Sequence, residues 1–239
     1  MTDFSTLAGR PTKIAARGFG WTHAGRTQPA LADIDLVIEP GERVLLCGDS
    51  GSGKSTFLAA IAGVLGSDEE GTRTGEILLE DSTGAVEEPG HSIPVGLVLQ
   101  DPDSQVISAR VGDDIAFGCE NLAYPREEIW RRVAAAKELV GPFVELDFPT
   151  ERLSGGQKQR LALAGVIAMG AGVVLLDEPT ANLDPAGARD VVRAVSALVE
   201  ETGATLVVVE HQHTAWEGLL DRAVELAHGR IVADGPFGQ

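Results

Sequence analysis

Two patterns of apolar positions run along this chain. Short continuous runs rich in Val, Leu and Ile occur at Arg43–Cys47, 93–99, 173–176 and Thr205–Val209. Runs of this length predict strands buried on both faces. Elsewhere the apolar residues recur at helical spacing. The stretch 126–140 places Ile129, Val133, Ala136, Lys137 and Val140 on one face, and 186–201 places Val191, Val195, Leu198 and Val199 on another. The second of these helices is expected to pack on the sheet. Strands alternating with helices predict an α/β fold with a mostly parallel sheet covered by helices. Two pieces with an antiparallel character, 34–39 and 76–79, are expected to lie beside the first buried strand as an accessory sheet, separated by turn residues such as Pro40-Gly41. From Asp101 to Arg152 the pattern is helical and reads as an inserted subdomain. The expected organisation is one domain over 1–239, with a core and β subdomain over 1–100 and 154–239 and a helical subdomain over 101–153. The stretch 66–75, dense in Asp, Glu, Thr and Gly, predicts a flexible loop. No repeat of 20 to 50 residues and no heptad run is present.

Composition narrows the functional classes. The 239 residues are 44% apolar and 23% charged, which suits a folded globular domain rather than a disordered chain. Nineteen Lys and Arg face thirty-six Asp and Glu, a net charge of -17, and only Lys13, Lys54, Lys137 and Lys158 are lysines. Such a field repels nucleic-acid backbones and anionic lipid heads, so nucleic acid is not an expected partner. Any polyanion must be held by a local device. Cys47 and Cys119 are isolated in apolar surroundings, without the CxxC spacing of zinc or redox sites. A reduced, cytoplasmic compartment is expected. The opening residues lack an apolar signal region and no run is long enough to span a bilayer, so neither secretion nor membrane insertion is expected.

The local device is GDSGSGKS, comprising Gly48, Asp49, Ser50, Gly51, Ser52, Gly53, Lys54 and Ser55, followed by Thr56. It fits the phosphate-loop pattern G-x-x-x-x-G-K-[ST] with a strand before it and a helix expected from Thr56 after it. Glycines let backbone N–H groups wrap phosphate oxygens, and the helix N-terminus adds partial positive charge. Lys54 would neutralise the outer phosphates and the Ser55 hydroxyl would ligate magnesium. Downstream, VVLLDE predicts a buried strand that delivers Asp177 and Glu178 to its C-terminal tip, where open α/β sheets bind ligands. There Asp177 can hold magnesium and Glu178 can orient or deprotonate a water.

Three further pieces sharpen the reading. LSGGQ, with Ser154, Gly155, Gly156 and Gln157, precedes a helical run over 157–169 and makes a second anion-cradling helix start. Two cradles in one chain suggest that the second completes a site on another copy. Gln100 ends one buried strand and His211 ends another, so both fall at the same sheet edge as Asp177. His211 and His213 lack a third ligand, and zinc is not expected there.

In this order, GFGWTH, GDSGSGKS, Gln100, LSGGQ, VVLLDE, PTANLD and His211 resemble the ATPase subunits of ABC transporters over nearly the whole chain. The resemblance implies a P-loop NTPase fold, an ABC-type ATPase core with an accessory antiparallel β subdomain and an inserted helical subdomain. It implies ATP hydrolysis with Mg2+. Trp21 would stack on adenine, and the loop from Gly48 to Thr56 would hold phosphates and magnesium. Gln100 would sense magnesium and the attacking water, Glu178 would be the catalytic base, and His211 would contact the terminal phosphate. Ser154, Gly155, Gly156 and Gln157 would clamp the ATP of an opposing subunit, with Asp184 bridging the dimer.

The segment QDPDSQVISARVGDDIAFGCENL and the run LAGVIAM are similar to the ATPases of energy-coupling factor transporters, which import vitamins or nickel and cobalt ions. That implies a peripheral place at the cytoplasmic face of the cell membrane. The implied partners are a transmembrane coupling subunit, a substrate-binding membrane subunit and a second ATPase. Asp113, Asp114 or Glu120 would meet an arginine of the coupling helix. Family members commonly carry helical material beyond a hairpin such as 230–234, so half of a tandem polypeptide or a trimmed chain is expected here. The alternative function is a soluble ABC ATPase acting on nucleic acid or the ribosome, which the acidic charge and the absence of coiled-coil heptads disfavour.

Overall fold

The computed structural model describes residues 7–66, 70–141, 143–211 and 213–238. Strand β1 (Thr12–His23) pairs antiparallel with β2 (Leu31–Ile38). After β3 (Arg43–Cys47) and helix α1 (Lys54–Ala62), the long strand β4 (Gly71–Asp81) returns along the other edge of β1. With the short β5 (Val86–Glu87) these form a separate four-stranded antiparallel sheet, in the order β2-β1-β4-β5.

The chain then enters the main sheet again at β6 (Val95–Val98) and runs through α2 (Val111–Asn121), α3 (Arg126–Ala136) and α4 (Gly155–Ala168). Strand β7 (Val173–Asp177), helix α5 (Pro185–Thr202) and strand β8 (Thr205–Val209) follow, and β9 (Arg222–Ala227) and β10 (Arg230–Pro236) close the fold. The second sheet has six strands in the order β10-β9-β3-β8-β7-β6. All neighbours in it are parallel except the β9–β10 hairpin.

The continuous apolar runs have a simple consequence. Successive side chains point to opposite faces, so Val44, Leu46, Val173, Leu175, Val207 and Val209 pack toward α1 and the antiparallel sheet. Leu45, Val174, Leu176, Leu206 and Val208 pack toward α2, α4 and α5. Both faces are dry, and each such side chain taken from water contributes about 1.5–3 kcal/mol. Val191, Val195, Leu198 and Val199 of α5 are buried on the second face, as expected. Helix α5 is defined at its start by Asp184, which accepts the Gly187 N–H, and at its end by Gly203 at φ 69.

Several elements differ from the sequence-based expectation. The pieces at 34–39 and 76–79 do not flank β3; they lie in the other sheet with β1 between them. Strand β1 was not foreseen because a bulge breaks its alternation. Ile14 and Ala16 point inward before Gly18 (φ 54), whereas Phe19 and Trp21 point inward after it. Strand β9 was also missed, since its alternation is short and carries Arg222 and Glu225. Of the expected flexible loop, 67–69 lie outside the described residues, while Gly71 to Gly75 belong to β4, where Gly71 to Thr74 pair with the end of β1 and Gly75 falls in the bulge. Strand β6 begins after Pro94, which has no N–H for the ladder. Helix α1 starts at Lys54 and α4 at Gly155, each two residues before the expected start. Helix α3 ends at Ala136, and a 3-10 turn at Lys137–Leu139 completes the run while Val140 stays buried.

Helix α4 packs on α2, α3 and β6. At β6 the approach is so close that a Cβ on Gly96 would stand 2.3 Å from Val166 Cγ1. Gly96→Ala is therefore expected to lower unfolding free energy by about 1–3 kcal/mol, measured by urea denaturation. A wild-type midpoint would mean that α4 can lift from the sheet at no cost.

Candidate functional site at the strand tips

The phosphate loop joins β3 to α1. Gly48, Gly51 and Gly53 have φ of 133, 79 and 110, values that L side chains rarely adopt. A Cβ on Gly48 would stand 2.0 Å from Leu226 O, and one on Gly53 would stand 2.7 Å from Ala30 O. The loop is thus pinned between the β1–β2 connection and the β9–β10 hairpin, where Gly229 N–H donates to Ser52 O. The first helical hydrogen bond runs from Phe57 N–H to Gly53 O. The N–H groups of Lys54, Ser55 and Thr56 consequently have no acceptor within the helix. No side chain caps that end and its first turn holds no acid, so its donors and partial positive charge suit an anion. Lys54 is buried, and its ammonium donates to Gly48 O at 2.7 Å and Asp49 O at 2.8 Å. An ammonium has three donors, so the third can serve a phosphate oxygen. The Ser52 hydroxyl is buried with no hydrogen-bond partner.

Beside this loop stand the tips of β6, β7 and β8. Asp177, the last residue of β7, pairs in register with Val209 and takes a hydrogen bond from the Ser55 hydroxyl. Burial pushes the Asp177 carboxyl above its usual range, the Glu178 charge adds to this, and Ser55 and the Lys54 ammonium oppose it. A carboxylate disfavoured in this way gains from a cation at its side. Glu178 leaves the strand at φ 47, a strained value for a non-glycine residue, and is held there by its N–H to Val209 O at 2.9 Å. One of its carboxylate oxygens accepts from Gln100 Nε2 and the other lies against His211 Nε2, each at 3.0 Å. Three residues expected from three separate strand ends therefore meet on one carboxylate.

The remaining expected residues lie on two helix starts. Ser154 caps α4 in a reciprocal pair with Gln157: the Gln157 N–H donates to Ser154 Oγ, and the Ser154 N–H donates to Gln157 Oε1. Both side chains are thus committed locally, while Ser154 and Gly155 remain exposed. Asp184 is exposed and caps α5 through one oxygen. Of the acids on α2, Asp114 accepts the N–H groups of Ile107 and Ser108, both at 2.8 Å, and so pins a loop rather than offering a free charge. Asp113 and Glu120 are exposed.

One assignment changes. Trp21 is only 4% exposed, its ring lies over Gly71, and it belongs to the core between β1 and α1. It has no open face for a base. His23, two residues on and on the same side of β1, is exposed and meets Trp21 edge to face at 6.0 Å. The Trp21 indole N–H donates to His23 Nδ1 at 3.1 Å, which orients the imidazole. Sequence reading also passed over Glu210, Thr180 and Asn182. Asn182 Nδ2 donates to Gln100 O at 3.3 Å, and Thr180 Oγ1 donates to Glu210 at 2.6 Å. Only the run of polar residues just past the strands could have signalled them.

A strand, a glycine loop pinned around a helix start, and acids at the next strand tips define a P-loop NTPase fold. The ABC transporter family model matches residues 31–181. A putative ABC transporter ATP-binding protein of Methanosarcina acetivorans is 39% identical over 226 residues, 94% of this chain and 35% of that protein. The energy-coupling factor transporter ATP-binding protein EcfA1 of Caldanaerobacter subterraneus subsp. tengcongensis is 39% identical over 216 residues, 88% of this chain and 74% of that one. The structure of cbiO1 from Clostridium perfringens, part of the ABC transporter complex cbiONQ, superposes with a TM-score of 0.77 at 31% identity, covering 93% of this chain and 88% of that one. The ADP- and Pi-bound dimer of the ATP-binding cassette MJ0796, at TM-score 0.74 and 22% identity, shares the fold. The chain belongs to the ABC transporter family, with the fold of its ATP-binding domain. It spans about a third of the length of the first curated relatives it matches.

Gly53→Ala puts a side chain at φ 110 against the Ala30 carbonyl. The expected loss is about 1–3 kcal/mol of unfolding free energy, read from the denaturation midpoint. An unchanged midpoint would show that the loop is not held in this shape.

Proposed function

We propose that this chain binds and hydrolyses ATP as the motor subunit of an importer of the energy-coupling factor type, carrying a vitamin or a transition-metal ion. The observation that carries the reading is the convergence of Gln100, Glu178 and His211 beside the phosphate loop. Gly48 to Thr56 would cradle the phosphates, with Lys54 balancing their charge. The all-oxygen pair of Ser55 and Asp177 fits Mg2+, a hard cation, which when bound would neutralise phosphate charge. Gln100 would complete that shell. Glu178 would take a proton from the attacking water as its oxygen adds to the terminal phosphorus and ADP leaves. His211 would face the same phosphate. Adenine would rest on His23 in place of Trp21.

Ser154, Gly155, Gly156 and Asp184 would meet the nucleotide of an opposing ATPase, a second copy or a paralogue. Closure of that pair would move 101–153 as the unit that engages the membrane partner. A groove of about 330 Å³, bounded by Leu97, Leu99, Ile107, Phe117 and Met169, lies between α2, α4 and β6 and supports docking of a coupling helix there. Leu99, Ile107 and Phe117 are exposed, and Asp113 and Glu120 flank Phe117 at helical spacing on α2. An arginine on that helix would meet Asp114, which lines the groove, or the exposed Asp113 and Glu120 beside it. The chain would sit peripherally on the cytoplasmic face of the membrane, beside a transmembrane subunit and a substrate-binding membrane subunit; no helix of the described residues is itself long and apolar enough to cross a membrane.

Glu178→Gln is expected to keep ATP affinity, accumulate as an ATP-bound dimer in size-exclusion chromatography, and lose turnover by about 100-fold or more. Full turnover in that variant would remove Glu178 as the base. His23→Ala should raise the ATP Kd by about 3- to 10-fold, by fluorescence titration. Unchanged affinity would place adenine elsewhere.

A further inference from the structure

One buried carboxylate takes no part in the mechanism above. Glu210 is 4% exposed and follows directly on β8. One of its oxygens accepts the Thr180 hydroxyl at 2.6 Å, and the other accepts the His211 backbone N–H at 3.1 Å. Neither donor is charged, and among the described residues no Lys or Arg pairs with it. Burying a carboxylate on neutral donors costs stability, so packing alone does not account for the residue.

What the carboxylate supplies is a bridge of fixed length. Thr180 belongs to the turn that follows β7, where Ala181 N–H closes on Glu178 O. His211 follows β8. Glu210 thus ties the segment bearing Glu178 to the segment bearing His211, two residues away from the first and next to the second. Across the same gap His211 Nε2 lies 3.0 Å from Glu178 Oε1. The Glu178 backbone is strained at φ 47, and such a conformation persists only when its surroundings hold it.

We propose that Glu210 is a positioning residue which, through Thr180 and the His211 backbone, sets the separation of Glu178 and His211 and so the rate of the hydrolytic step. The inference rests on the ATPase reading given above. It distinguishes Glu210 from the groups that would touch nucleotide: its effect should fall on turnover and not on ATP binding.

The test compares full-length wild type, Glu210→Ala, Glu210→Gln and Thr180→Val for ATPase kcat, KM and ATP Kd. Glu210→Ala should lower kcat by about 10- to 100-fold, since small misplacements of reacting groups cost that much, with KM and Kd within about threefold. Thr180→Val keeps the side-chain shape and removes one bond, so a kcat loss of about 3- to 10-fold is expected. Glu210→Gln should recover kcat to within about threefold of wild type, because the amide oxygen can accept from His211 and its NH2 can donate to Thr180 Oγ1. Unchanged kcat in both Glu210→Ala and Thr180→Val, beside an active wild type, overturns the proposal. So does a joint collapse of kcat and ATP affinity that Gln fails to rescue. An inactive wild type that binds ATP would instead overturn the ATPase reading, and this inference with it.

Discussion

In the six-stranded sheet, β3, β8, β7 and β6 lie parallel in one hydrogen-bonded ladder, and the register of that ladder sets everything at its edge. Asp177 pairs with Val209, so the residues that follow, Glu178 on one strand and Glu210 and His211 on the other, emerge side by side. The next pair in the ladder, Val98 opposite Leu176, brings Gln100 to the same place. A slip of one residue in any strand would exchange the side chains packed toward α1 for those packed toward α2, α4 and α5, and so misfit two close-packed layers. Burial on both faces forbids that slip, and the same forces that fill the core therefore hold Gln100, Glu178 and His211 within hydrogen-bond reach.

Two of the backbone's unusual conformations fall where the chain leaves this ladder. The phosphate loop takes a positive φ at Gly48, Gly51 and Gly53, and at Gly48 and Gly53 a neighbouring carbonyl also stands where a Cβ would be. Glu178 accepts a positive φ without being glycine, and its N–H bond to Val209 O and the Glu210–Thr180 bridge surround it. The site is thus preorganised by backbone contacts on both sides. Gln105 and the buried Gln159 both bond to Leu99 O, and Lys158 pairs with Asp103, which ties α4 to the segment bearing Gln100.

Much of this was legible from residue patterns. Short Val/Leu/Ile runs mark buried parallel strands because both faces are covered, and the ends of those runs mark the site because open α/β sheets present ligands there. The Gly-Lys-Ser loop is legible because few other residues allow that backbone. Element edges were less so: Pro94 shortened β6, and the reciprocal Ser154–Gln157 cap drew α4 forward by two residues.

By itself the sequence determined the phosphate loop, the four buried strands and the three polar tips, since each depends on local composition and period. Only the tertiary structure decided which aromatic faces outward. The bulge at Gly18, matched across β4 by Gly75 at φ 62, switches the inward face of β1 so that Trp21 is buried, and His23, on the same side but at the last position of the strand, lies exposed beyond the core. The role of Glu210 was likewise invisible in sequence. Its partners Thr180 and His211 are brought to it by the pairing of β7 with β8, a contact between segments far apart in the chain, and no local rule encodes that distance.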